Sequence, residues 1–176
     1  MTIVEGDDML HQRQHFSETG DLHPIDLVET VAESQDWQFD RVGDDQIAMV
    51  VEGQWRSYSV TLAWSDADET LRLVCCFEMD PPETSLPRLY EVLNLANDQC
   101  WAGSFSYWAD QKMMVYRYGL VLAGGACAQV EQVNAMVAEA IVAGERYYPS
   151  FQLVCWGGRA PADAMQIAMA EAYGHA

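Results

Sequence analysis

Two stretches of strict alternation constrain this chain more than anything else in it. Tyr58, Val60, Leu62 and Trp64 alternate with Ser57, Ser59, Thr61 and Ala63. After the turn residues Ser65-Asp66-Ala67-Asp68 the pattern resumes, with Leu71, Leu73, Cys75, Phe77 and Met79 set against Thr70, Arg72, Val74, Cys76 and Glu78. A period of two sends successive side chains to opposite faces of a strand, so each stretch reads as a strand with one face buried. So short a turn between them predicts an antiparallel meander with one face covered.

The flanking sequence supplies the rest of the architecture. Pro24 suits a first helical turn, and Ile25, Leu27, Val28, Val31 and Ala32 follow at helical spacing to about Gln35. Trp37-Gln38-Phe39 opens a short strand, Arg41 to Asp45 reads as a turn, and Ile47 to Glu52 is a second strand closed by Gly53-Gln54. Asp80-Pro81-Pro82 ends the meander. A helix is predicted from about Thr84 to Gln99, with Leu86, Leu89, Tyr90, Leu93, Ala96 and Asn97 on one face. Trp101–Ala109 and Lys112–Leu122 form a hairpin. Val130 to Tyr148 is helical, Pro149 perturbs or kinks it, Gly157-Gly158 stops it, and Pro161 starts a last helix. The order is α-β4-α-β2-α-α. Strands grouped between helices mean an α+β fold: a twisted antiparallel sheet flanked by helices. Residues 1–22 lack periodicity and are expected to be a flexible acidic tail. Residues 23–176 form one domain, as a chain of 176 residues leads one to expect.

Composition excludes several partners. Acidic residues number 27 against nine basic ones, for a formal net charge of -18, and Lys112 is the sole lysine. Nucleic-acid affinity rests on Lys and Arg neutralising phosphates, and anionic membranes demand the same. Neither partner is expected. No run approaches the ~20 apolar residues that cross a bilayer. The opening MTIVEGDDMLHQRQ lacks the basic and apolar regions of a signal peptide. The expected location is the cytoplasm. The five cysteines, Cys75, Cys76, Cys100, Cys127 and Cys155, have neither disulfide nor zinc spacing and read as reduced, mostly buried small hydrophobes.

Catalytic residues are hard to assemble. All four histidines, His11, His15, His23 and His175, lie at the chain ends, so a core imidazole base or metal ligand is missing. Ala123-Gly124-Gly125-Ala126 has neither the lysine nor the third glycine of a phosphate loop. Asp66, Asp68 and Glu69, and Asp44 with Asp45, cluster at turns, where Asp is favoured for local reasons. No catalytic residue, metal ligand or cofactor is expected.

The tryptophans carry more information. Trp55, Trp64, Trp101 and Trp108 sit near strand ends, and Trp108 has opposite parity to Phe105 and Tyr107. Trp and Arg are enriched in binding hot spots, so Trp55, Arg56, Trp64, Trp101, Trp108 and Arg117 are the candidate partner-binding residues. Bulk on both faces of the sheet suggests helices on one side and a partner subunit on the other.

The order of several strings resembles the YbjN-domain family of bacterial sensory transduction regulators. They are Gln54-Trp55-Arg56-Ser57-Tyr58, Leu62-Ala63-Trp64, Thr70-Leu71-Arg72-Leu73, Phe77-Glu78-Met79 with Pro81-Pro82, Leu89 to Asn94, Asn97 to Gly103, and Val115 to Leu122. The resemblance covers about Pro24 to Gly174. It implies a fold similar to type III secretion chaperones and brings no catalytic residues. The combined reading is a non-catalytic protein-binding module, regulatory or chaperone-like, acting as a homodimer on a client that the sequence does not identify. The alternative is a sensor of a small molecule or cation, or an enzyme that uses carboxylates alone.

Overall fold

The computed structural model describes residues 22–173. Most of the tail expected at 1–22, and with it His11, His15 and His175, falls outside the described residues. Helix α1 (Pro24–Ser34) leads into four strands, β1 (Phe39–Gly43), β2 (Gln46–Glu52), β3 (Ser57–Ser65) and β4 (Thr70–Glu78). A 3-10 turn (Glu83–Ser85) opens α2 (Leu86–Asp98), followed by β5 (Gly103–Trp108), β6 (Met113–Val121), α3 (Val130–Cys155) and α4 (Pro161–Tyr173). The strands form one sheet in the order β1-β2-β3-β4-β6-β5. Every neighbouring pair is antiparallel.

Alternation decides which face is covered. Ile47, Met49, Tyr58, Val60, Leu62, Leu71, Leu73, Cys75, Phe77, Phe105, Met114 and Tyr116 all join one core with residues of the four helices. The residues between them on each strand take no part in that core. The molecule is thus two layers, with α1, α2 and α3 on the sheet and α4 packed on α2 and α3. Aromatic rings line the seam edge-on. Phe77 meets Tyr58 and Tyr148 at 5.6 Å between centroids, and Phe105 meets Tyr116 at 4.9 Å and Phe151 at 5.3 Å. Such pairs add about 0.5–1.5 kcal/mol each beyond the area they bury.

One contact sets how closely α3 lies on the sheet. The Tyr58 hydroxyl donates to Glu145 Oε1 at 2.7 Å, and the Trp55 amide reaches the same oxygen at 3.3 Å. Two glycines make room for this. A Cβ on Gly144 would meet Tyr58 Cε1 at 2.7 Å, and one on Gly53 would collide with Glu145 Oε1. Burial, with Glu145 beside it, pushes the Tyr58 hydroxyl pKa well above its ordinary value.

Several local expectations are corrected. Arg41–Gly43 is strand, not turn, and the turn narrows to Asp44-Asp45 between the paired Gly43 and Gln46. Arg41 is held there by Asp26 at 2.7 Å and Glu29 at 2.6 Å, both on α1. Gly53-Gln54 is part of a longer connection closed by the Gly53 amide on the Arg56 carbonyl at 2.8 Å. Helix α2 buries Val92 with Leu89, Leu93 and Ala96, and leaves Tyr90 half exposed. Asn97 faces β5 instead of the core: its amide group accepts from the Phe105 N–H at 2.6 Å and donates to the Phe105 carbonyl at 3.0 Å. Strand β5 starts at Gly103, leaving Trp101 in a bend. Helix α3 continues through Pro149 because Tyr147, Tyr148, Ser150 and Phe151 are all buried there. That packing outweighs the ~3 kcal/mol an interior proline costs.

Two outcomes are expected. Gly144→Ala gains helix propensity yet lowers stability by about 1–3 kcal/mol, because the methyl is driven into Tyr58. A urea midpoint that rises in this variant would show that the ring is not wedged there. The thiols give a pH signature. Burial raises the Cys75 pKa to about 12 and those of Cys100 and Cys155 to about 11, from an ordinary 9.0. The unfolded chain therefore releases these protons first, so stability is intact below pH 9 and is lost as pH climbs from about 9 towards 12. Urea titrations across this range should show the midpoint falling, with a shallower slope in Cys75→Val.

Candidate functional site

The residues singled out from the sequence separate into distinct places. Trp55 and Arg56 lie in the β2–β3 connection beside α3, and Trp55 is 47% exposed. Trp64 turns inward against the core, meets the His23 ring edge-on at 6.3 Å, and donates its indole N–H to Asp66 at 2.6 Å. These contacts commit Trp64 to the fold. Trp101 is 98% exposed and stands in the α2–β5 bend. Trp108 and Arg117 are on the uncovered sheet face, far along the strand order from β2.

Arg56 is drawn into a groove that sequence reasoning missed. Two adjoining cavities, of about 480 and 260 Å³, share Asp80 and Trp156. The larger is walled by Pro81, Pro82, Leu86, Tyr107 and Lys112, the smaller by Arg56, Tyr148 and Gln152. Three local features bring these walls together. The Ser85 hydroxyl donates to the Cys155 carbonyl at 2.8 Å, tying the 3-10 turn to the end of α3. The Gly157 amide returns to Gln152 and the Arg159 amide to Leu153, with Gly158 at a φ of 67°, so the helix ends sharply. Trp156 is left at that end, 51% exposed. Lys112 sits in the β5–β6 turn and binds Asp80 at 2.8 Å, and its carbonyl accepts from the Met79 amide at 2.9 Å. The Asp80 carboxylate raises the Lys112 pKa through that hydrogen bond.

The electrostatics of the groove are uneven. Lys112 is already neutralised by Asp80, whereas Arg56 makes no ion pair among the described residues. The Arg56 guanidinium lies 5.6 Å from the Tyr148 ring centroid and donates to Tyr148 Oη at 3.2 Å. Gln152 Nε2 also donates to that oxygen. The guanidinium is thus oriented by an aromatic platform and keeps donors for an arriving acceptor. Aromatic and proline walls with one oriented cation suit an extended peptide or another mixed apolar-polar ligand.

The acidic turns do not converge. Asp68 pairs with Arg72 at 2.5 Å, its pKa lowered by hydrogen bonds from Ser65 and Arg72; Asp66 holds the Trp64 indole; and Asp45 lies 3.6 Å from His23. Among the described residues no three of His, Cys, Asp and Glu come close enough to hold a metal ion. Cys75 and Cys155 are buried, Cys76 and Cys100 half-buried, and Cys127 exposed. Among the described residues no helix is long and apolar enough to cross a membrane.

Trp156 and Lys112 might have been suspected from sequence as the tryptophan after a long helix and the lone lysine of an acidic chain. Nothing local says that they face one another. Their meeting depends on how α3 crosses the sheet.

Comparison with known proteins agrees with this architecture. The crystal structure of YbjN from E. coli, described as "a putative transcription regulator", superposes with a TM-score of 0.50 at 12% identity, covering 85% of this chain and 93% of that one. At that identity the likeness speaks for the fold alone. No curated protein matches the chain. The model of the YbjN family, described as "Putative bacterial sensory transduction regulator", matches residues 24–153. The chain belongs to the YbjN family.

Proposed function

We propose that this chain is a non-catalytic regulatory module that binds a protein client and works as a homodimer. The observation that carries the reading is the Trp156 groove. It pairs aromatic and proline walls with Arg56, a guanidinium oriented by Tyr148 that makes no ion pair among the described residues, although Glu78 and Asp80 line the same cavity. Such pockets anchor aromatic or aliphatic side chains of a partner while the polar group fixes orientation. The family's described role in sensory transduction and the E. coli relative's description as a transcription regulator support a regulatory output. With a charge of -18 in the chain, that output acts through other proteins in preference to direct contact with DNA. The client contributes an extended segment whose apolar side chain rests on Trp156 and whose acceptor meets Arg56.

The test separates binding from folding. A partner captured from cell extract by the full chain should be lost with Trp156→Ala and weakened about tenfold or more by Arg56→Ala, while both variants keep the wild-type far-UV spectrum. Loss of about 2 kcal/mol per truncated anchor is the scale expected of a hot spot. Equal capture by both variants would remove the groove from the reading.

A further inference from the structure

The uncovered face of the sheet differs from an ordinary solvated one. Its residues are those of opposite parity to the core: Ala48 and Val50 on β2, Ser59, Thr61 and Ala63 on β3, Arg72, Val74 and Cys76 on β4, and Val115 and Arg117 on β6. In so acidic a chain, β3 presents no ionised group to this side, β4 presents Arg72, which is paired with Asp68, and carboxylates such as Asp40, Glu52 and Glu78 stand at the margins. Val115 is fully buried here, between Cys76 and Ser106, without belonging to the core.

The two halves of the face differ in shape and charge. Over β1, β2 and β3 lies a hollow of about 330 Å³, bordered by Asp40, Ala48, Val50, Ser59 and Thr61. Over β5 and β6 the face carries bulk: Trp108, 40% exposed, beside Met113, with Val121 66% exposed further along. Arg117 stands in this half, bonded to Ser106 Oγ at 3.2 Å and, among the described residues, in no ion pair. A two-fold axis running along the strands near β3 and β4 would lay each bulky, basic half on the hollow, acid-bordered half of another copy.

Resting on the homodimer reading above, we infer that this face is the dimer interface, occupied by a second copy of the chain through sheet-on-sheet packing. The area is sufficient. Strands of nine residues and six strands side by side give a face of roughly 30 by 25 Å, on the order of 700 Å². A standard stable interface takes about 600–1,000 Å² from each partner. The small residues Ala48, Ser59, Thr61 and Ala63, with Arg72 paired to Asp68 beside them, allow the two sheets to approach to about 10 Å, crossed by about 30°.

Sedimentation equilibrium on the full chain tests this. The wild type is expected at twice the 19.7 kDa chain mass. Trp108→Ala removes the knob and Ala48→Arg fills the hollow, and each should weaken dimerisation about tenfold or more. Val142→Arg, on the exposed side of α3, should leave it unchanged. Far-UV circular dichroism confirms folding of each variant. If the wild type is a dimer and both face variants dimerise as tightly, the interface is elsewhere and the homodimer stands. A wild type that stays monomeric at high micromolar concentration overturns both and leaves the face to a different protein.

Discussion

The separation between the helical layer and the sheet rests on Tyr58. Its ring fills the space that Gly144 leaves open on α3, and its hydroxyl ends on Glu145 one residue further along. Gly53 clears the same carboxylate from the other side. A phenol this deeply placed needs a partner, since an unpaired buried hydroxyl costs about 1–3 kcal/mol. Glu145 supplies it and, by accepting from the Trp55 amide as well, ties the β2–β3 connection to the same point. Helix α3 then has one place to lie, and the core it closes is continuous from α1 to α4.

Both proposed binding surfaces follow from that placement. Arg56 adjoins Trp55, so the contact that seats α3 also brings a guanidinium over Tyr148, one turn before Gln152 and two before Trp156. The groove therefore sets Tyr148 and Gln152 of α3 against residues of the β2–β3, β4–α2 and β5–β6 connections. With every described helix drawn to one side, no helix or strand among the described residues lies over the opposite face of the sheet. Glu78 stands at the margin of that face and also lines the groove, so the two surfaces adjoin at this end of β4.

Much of the fold could be read from residue order. Period two in Tyr58–Trp64 and Leu71–Phe77 gave the central strands and their buried side, and helical spacing placed α1, because one-sided burial writes itself into a short window. Errors arose where burial on a third element decides. Tyr90 and Val92 exchange places because α2 packs on β5, α3 and α4 together. Trp101 looked like a strand residue, but β5 pairs with β6 only from Gly103, where any side chain would strike Tyr116 and the Arg117 carbonyl. The groove was less legible still. Arg56 was singled out, yet Tyr148, Trp156 and Lys112 lie more than fifty residues away in sequence and meet it only through the packing of α3. Trp64 was singled out by residue type alone, although its parity, shared with Tyr58, already pointed to the core against which it packs.

Asn97 has a bearing on how other chains can approach. Strand β5 is an outer strand, and such strands invite an extra chain to hydrogen-bond alongside. By gripping both polar groups of Phe105, the Asn97 amide occupies the middle of that template with a side chain from α2. At the other border, β1 is five residues long and its register slips between Arg41 and Gly43. Neither border offers a long, regular ladder, so strand addition is a poor route onto this protein. The same blunting guards against end-to-end polymerisation, the hazard that accompanies any open sheet.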